Sequence, residues 1–400
     1  MRIAAIIPGL PEPADRGTYK RYAAVVAMLC RLGTVDCCTL VDQDLAPGAE
    51  AIFRARVARL HAPRVAFQPW KGLLGQWRDP LAPNVRHWFD PAIVEGIRAF
   101  FAGHDYDVVL LGDLVSIPYA EAVGLDRFPC WLDRARVDIE FQRQSAGHRA
   151  MGFSDRVKDA LRRRLTARYE RHASAFAAGE IVCAPSDRAA LLGCVGAGGC
   201  PIRVVANGIE GDLFPDQGEP VAEPAFMVAG AMDYQPNAEG LLWFVHGAWP
   251  LIRARVPAAT LAVVGRDPLP ALRALDGKDG IRVTGAVPSM LPEYARARVV
   301  VAPIRIGGGT RLKVVECWSV GRALVGTTIA VDGLDAVHDR NCLIGDTPAA
   351  LAEACCAALA APANARLRAG ALATAAKYSW DAVWRDLEAE WTAMYGRAAP

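Results

Sequence analysis

The sequence predicts an α/β protein of two doubly wound, Rossmann-like parallel-sheet domains facing a cleft. Three observations carry this. Apolar runs of strand length alternate with amphipathic helical runs, which argues for parallel strands joined by crossover helices. The alternation comes in two series, and residues 209–224 between them hold Gly211, Pro215, Gly218, Pro220 and Pro224, a composition suited to a linker. At 400 residues the chain is long enough for two full cores.

In the first series residues 3–7 are uniformly apolar and read as a buried strand. Residues 9–18 form a Pro/Gly-rich loop, and a helix follows with Tyr22, Val25, Val26 and Leu29 on one face. Strands are expected at 35–41 and 107–111, the second running into Gly112 and Asp113. Residues 62–90, rich in proline and tryptophan, read as irregular. A long basic helix covers 150–172, and strands follow at 181–184 and 203–206, closed by Asn207-Gly208. The second series places strands at 226–229, 260–264, 281–284, 299–302 and 323–327, with helices near 237–254, 290–297, 311–320 and 348–360. A terminal aromatic stripe of Tyr378, Trp380, Trp384, Leu387, Trp391 and Tyr395 has helical spacing and suits a core.

Composition excludes several classes. With 45 basic and 43 acidic residues the net charge is +2, which does not suggest bulk nucleic-acid binding. The 11 cysteines show no C-x-x-C pair or zinc-ligand spacing and read as buried free thiols of a reducing, cytoplasmic protein. The seven histidines are scattered, and His148 and His172 read as surface residues. Met1-Arg2 precedes only a short strand ending at Pro8-Gly9, so no signal peptide is expected. No run reaches the ~18 apolar residues of a membrane helix.

The richest segment runs from Val300 to Glu316. The strand there leads into Gly307, Gly308 and Gly309, and then into an amphipathic helix from Leu312. Such a turn leaves backbone N–H groups uncovered at a helix N-terminus, which suits an anion. Arg305, Arg311 and Lys313 add positive charge, and Glu316, one turn on, can accept hydrogen bonds from sugar hydroxyls. The combination suits a phosphorylated sugar or nucleotide-sugar. A P-loop is absent, and no G-x-G-x-x-G opens a βαβ unit near the start, so a Rossmann dehydrogenase has little support. Asp42-Gln43-Asp44 and Asp105-Tyr106-Asp107 have the D-x-D form of manganese sites, but about one such triplet is expected by chance in a chain of this size. They read as solvated loop ends. Asp113, just past a strand, suits either acceptor contact and base chemistry or a helix N-cap.

These residues together resemble the retaining glycosyltransferases of the GT-B fold, family GT4 (glycosyl transferases group 1). The resemblance runs from Ala302-Pro303 through Arg305, the glycine triplet, Thr310-Arg311, Lys313 and Glu316 to Gly321-Arg322-Ala323. It extends to Gly230-Ala231-Met232-Asp233 with Pro236-Asn237, to Val263-Val264-Gly265-Arg266, to Thr284-Gly285 with Val287, and to Asn207-Gly208-Ile209. The opening Pro11, Pro13, Arg16 and Gly17 is similar to a subgroup tied to bacterial exopolysaccharide loci. The C-terminal half is covered almost throughout, the N-terminal half in patches, and residues 45–105 not at all.

The resemblance implies an N-terminal acceptor-side domain over 1–215, a nucleotide-sugar domain over 216–376, and a C-terminal helix, 377–400, packing back on the first. It implies a glycosyltransferase (EC 2.4 class) that moves a sugar from a nucleotide-sugar donor to a saccharide or lipid-linked acceptor, with retention, in cell-surface polysaccharide synthesis. Neither a cofactor nor a metal is expected. Glu316 would bind donor hydroxyls and take part in catalysis. Gly307, Gly308, Gly309 and Thr310 would approach sugar or phosphate, Gly17 would face the donor phosphates, and Val287 would border the nucleobase. Two departures stand out. The first glutamate of the family's E-x7-E pair is Gly308, and the Arg/Lys diphosphate clamp is replaced by residues 231–237. Arg311 and Lys313, with Arg305 or Arg16, would neutralise the diphosphate instead. Rival readings are a GT-B nucleotide-sugar epimerase and a non-catalytic nucleotide-sugar scaffold. The basic segment 149–172 suits peripheral contact with anionic lipid at the inner face of the cell membrane, or a solvated charged surface.

Overall fold

The computed structural model describes residues 1–14, 16–69, 79–147, 152–196 and 198–396. His148 and the start of the expected basic helix, residues 149–151, lie outside them. The chain divides into two compact units, Met1–Val205 joined by the chain from Trp384 onward, and Ala206–Val383.

The first unit is built on a seven-stranded sheet, all parallel: β1 (Arg2–Pro8), β2 (Thr34–Leu40), β3 (Arg59–His61), β4 (Val108–Gly112), β5 (Cys130–Arg134), β6 (Gly179–Val182) and β7 (Ile202–Val204), in the order β3-β2-β1-β4-β5-β6-β7. Residues 3–7 of β1 are fully buried, as a strand covered on both faces must be. One face packs Ala4, Ile6, Val109, Leu111 and Leu132 against Ile97, Ile117, Tyr119 and Tyr169. The unit also gathers the later part of the terminal aromatic stripe, from Trp384 onward, while Tyr378 and Trp380 belong to the second unit. Trp384 and Trp391 are fully buried, Trp391 lies 5.4 Å from the Trp131 ring, and the Trp131 indole donates to the Tyr395 hydroxyl at 2.9 Å. Ion pairs of Glu390 with Arg203 and of Glu388 with Arg31 flank that packing.

The second unit carries six parallel strands: β8 (Ala225–Ala229), β9 (Thr260–Val264), β10 (Ile281–Gly285), β11 (Val299–Ala302), β12 (Ala323–Gly326) and β13 (Leu343–Ile344), in the order β10-β9-β8-β11-β12-β13. Strand alternation sorts the side chains between two cores. Phe226, Val228, Leu261, Val263, Val299 and Val301 face one cluster, closed by Phe244, Trp249 and Leu351. Met227, Ala229, Val264, Val300 and Ala302 face the other, closed by Val314, Trp318 and Tyr378.

Several expectations are corrected. β3, β5 and β13 were not foreseen, nor were the helices at Asp138–Gly147 and Ala361–Ala375. The basic helix runs Phe153–Phe176, four residues past its expected end at 172. The proline- and glycine-rich stretch is no free linker, and the first unit ends at Val205 rather than at residue 215. The Gly218 carbonyl accepts from Arg322 at 2.8 Å and from Arg368 at 2.7 Å, and the Phe214 carbonyl accepts from Ser319 at 2.6 Å, so the stretch is tied to the second unit.

Candidate active site

In a doubly wound sheet, ligands bind beyond the carboxyl ends of the strands where the strand order reverses. In the second unit that point lies between β8 and β11. β8 runs into Gly230, held at φ 145°, where an added Cβ would sit 2.7 Å from both the Asn237 side-chain nitrogen and the Lys313 ammonium. Beside it, a Cβ on Gly265 would lie 1.7 Å from the Gly230 carbonyl oxygen. Only glycines let these backbones approach so closely. Asn237, at the start of the Gln235–Trp243 helix, donates to the Ala231 carbonyl and accepts from Lys313 Nζ, both at 2.7 Å. One amide thus fixes the loop after β8 to the segment after β11.

The glycine triplet follows β11. Gly307 and Gly309 adopt φ of 138° and 73°, values costly for other residues. The turn ends at Thr310, pinned by Asn207, whose backbone N–H donates to the threonine hydroxyl at 2.6 Å and whose side chain donates to its carbonyl at 3.0 Å. The Leu312–Ser319 helix then begins with no side chain capping its first turn, which leaves the helix dipole's positive end available to an anion. Arg311 curls over the triplet and donates to the Gly309 carbonyl at 2.5 Å and to that of Gly308. Burial, with the Arg311 charge adding to it, pushes the half-buried Lys313 ammonium down to about 7, while Glu316 works in the opposite direction. Glu316 is 7% exposed and accepts from the Tyr294 hydroxyl at 3.3 Å.

Arg305 is otherwise engaged. It donates to Glu239 at 2.6 Å and lies 5.0 Å over the Trp243 ring, so a neighbouring carboxylate already compensates its charge. Val287 packs, half-buried, against the cluster that holds Tyr294 and Val314. The second unit therefore assembles Gly307, Gly308, Gly309, Thr310, Arg311, Lys313 and Glu316 on a single turn and helix.

Arg16, Gly17 and Asp113 belong to the first unit. Gly17 opens the Gly17–Leu32 helix, and the Arg16 guanidinium lies 5.5 Å over the Tyr19 ring. Asp113 follows β4, beside β1 at that sheet's own reversal point. Its φ of 60° is a strained value for a residue with a side chain. One carboxylate oxygen caps the short turn that follows, accepting from Leu114 N–H at 2.8 Å, so the capping role is filled. Burial raises its pKa to about 6, against the pull of Arg134, with Asp138 adding to the rise. Arg134 stands 3.7 Å away, fully buried and held by Glu170 at 2.8 Å and Glu180 at 3.2 Å. Three of the four D-x-D aspartates have structural partners. Asp42 accepts from Tyr19 at 3.0 Å, Asp107 accepts from the Arg2 N–H at 2.7 Å, and Asp44 pairs with Arg64 at 3.0 Å. No group of three or more metal-binding side chains is present among the described residues.

Sequence reasoning gave no role to Asn207, Asn237, Glu239 or Tyr294. The two asparagines stood inside recognisable segments, but what they hold is set by tertiary contact, and local spacing gave no sign of Tyr294 or Glu239.

Comparison with known proteins places this geometry. Residues 223–361 match the family described as glycosyl transferases group 1. Among solved structures the chain is similar to sucrose-phosphate synthase from Thermosynechococcus elongatus, with 19% identity, full coverage of both chains (100% each) and a TM-score of 0.71. It is also similar to Anabaena HepE in complex with UDP and glucose, at 14% identity, coverage of 98% and 99%, and a TM-score of 0.63. The pneumococcal O-GlcNAc transferase GtfA in complex with UDP and GlcNAc is similar at 10% identity, coverage of 98% and 99%, and a TM-score of 0.67. No curated protein sequence gives a significant match. The chain thus has the GT-B fold, and its residues 223–361 match the family described as glycosyl transferases group 1.

Proposed function

We propose that this enzyme transfers a glycosyl group from a nucleoside-diphosphate sugar to a saccharide or lipid-linked acceptor, with retention. The observation that carries the reading is the joint placement of Arg311, Lys313 and an uncapped helix start beside the buried Glu316 carboxylate, at the reversal point of the second sheet. When the bond between the anomeric carbon and the phosphate oxygen breaks, negative charge collects on the departing diphosphate. Prearranged N–H groups and cations stabilise that charge. Arg311 and Lys313 take this role, and Glu316 accepts hydrogen bonds from donor hydroxyls. The acceptor hydroxyl attacks from the face the diphosphate leaves, and its proton passes to the departing phosphate oxygen. On the first unit, Asp113 is the candidate residue for contact with the acceptor. The Pro11–Gly17 opening supports a place in cell-surface polysaccharide assembly.

The test is turnover of UDP-, GDP- and ADP-sugars, with Glu316→Ala as control. Slow, Glu316-dependent release of one nucleoside diphosphate is the expected result. Interconversion of the donor sugar with no diphosphate released would point to an epimerase, and tight binding without any turnover to a scaffold. Either outcome overturns the transferase reading.

A further inference from the structure

The Phe153–Phe176 helix lies in the first unit and has two unlike halves. From Leu165 onward it buries Leu165, Thr166, Tyr169, Glu170, Ala173 and Ser174. Its first turns bury nothing. Phe153 is 85% exposed and Val157 49% exposed, and Phe153 is the most exposed large apolar side chain among the described residues. At 3.6 residues per turn, Val157, Arg164, Arg168 and Arg171 fall within about 60° of the azimuth of Phe153. One outward line therefore starts apolar and continues basic. Arg168 on this line also donates to the Asp79 carbonyl. The helix carries Arg156, Lys158, Arg162, Arg163, Arg164, Arg168 and Arg171 against Asp155, Asp159 and Glu170. Those acids are spoken for: Asp155 faces Lys158 at 3.8 Å, Asp159 pairs with Arg163 at 3.0 Å, and Glu170 is buried against Arg134.

Single exposed apolar side chains are common on soluble surfaces, but here two stand at the head of a line that continues in arginines. An interfacial helix uses both features. Its apolar side chains enter the boundary between headgroups and acyl chains while the arginines meet anionic headgroups. We propose that this helix docks the enzyme on an anionic lipid surface along its outward line, with Phe153 and Val157 inserted at its start and Arg164, Arg168 and Arg171 against the headgroups.

The test is flotation of the full chain with vesicles of phosphatidylcholine alone or with phosphatidylglycerol, at low and high salt. Capture by the anionic vesicles is expected, weakening with salt, with little capture by the neutral ones. Phe153→Ser with Val157→Ser should weaken partitioning by more than about tenfold. Arg156→Glu with Arg171→Glu should weaken it further, since each lost cation costs about fivefold. The altered side chains are exposed, so melting temperature should not move, which separates lost docking from lost folding. No capture by anionic vesicles overturns the proposal. So does salt-sensitive capture that the serine variant leaves unchanged, and so does retention on immobilised polyglutamate without vesicle capture, which would assign the face to an acidic protein.

Discussion

Lys313 offers the sharpest test of the donor site. Its ammonium titrates near 7 because burial and Arg311 both disfavour the charge. A bound diphosphate reverses that balance by setting negative charge against the same nitrogen. If the contact raises the pKa by two units, it supplies about 2.7 kcal/mol of differential interaction, within the range of a charge-assisted hydrogen bond. Binding then takes up a proton. At pH 8 the free lysine is about one-tenth protonated and the bound one about nine-tenths, so uptake is about 0.8 proton per ligand. Affinity for the diphosphate should fall about fivefold from pH 7 to 8 and about 25-fold from pH 7 to 9. The second phosphate ionisation, near 6, is complete in this window and does not interfere. Without ligand the sign is opposite. The folded pKa lies below the unfolded one, so the unfolded chain binds more protons between pH 7 and 10.5, and this group makes stability rise with pH there. Isothermal titration of UDP, GDP and ADP at pH 8, in two buffers of different ionisation enthalpy, reads the proton directly. Lys313→Met should abolish the uptake, and Lys313→Arg should bind with no pH slope between 7 and 9. Zero uptake by the unaltered enzyme, or equal uptake by the methionine variant, would refute the reasoning.

Glu316→Gln should lower kcat/KM with the preferred donor by about 10- to 100-fold, since it weakens a charged acceptor for one or more hydroxyls; steady-state kinetics checks this, and the amide can still accept from Tyr294, so the melting temperature should hold. Gly230→Ala brings a methyl within 2.7 Å of both Asn237 and Lys313, so donor affinity should fall at least about tenfold with a measurable drop in melting temperature. Asp113, raised to about 6, should give kcat/KM a limb that climbs with pH through about 6 and is absent in Asp113→Asn. Because its folded pKa is raised, the aspartate costs stability as pH rises from its unfolded value through 6, so the asparagine variant should also melt higher at pH 7. Arg134→Met leaves Glu170 and Glu180 buried without their cation and should cost about 3–5 kcal/mol in chemical denaturation.

What the chain revealed before folding, and what it withheld, follows the range of the forces involved. Strands buried on both faces write themselves as unbroken apolar runs, so β1, β8, β9 and β11 were legible to within a residue or two. β5 was not, because its five residues, Cys130 to Arg134, end in Asp133 and Arg134. Those charges are fully buried yet satisfied from afar: Asp133 by Arg21 at 2.6 Å, and Arg134 by Glu170 and Glu180. A pairing across 112 positions of sequence leaves no local trace. The same distinction runs through the site. The glycine triplet, Arg311, Lys313 and Glu316 are close in sequence because one turn and one helix carry them. Asn237 reaches Lys313 across 76 positions and Tyr294 reaches Glu316 across 22, so their roles exist only once β8 and β11 lie side by side. Arg305 shows the same limit from the other side. Its charge is plain in the sequence, but its pairing with Glu239, 66 positions away, is not. A basic residue near a glycine turn is therefore a phosphate ligand only to the extent that the fold leaves its charge unspent. By that criterion Lys313, whose nearest acceptor is a neutral amide, ranks ahead of Arg305 as the cation of this site.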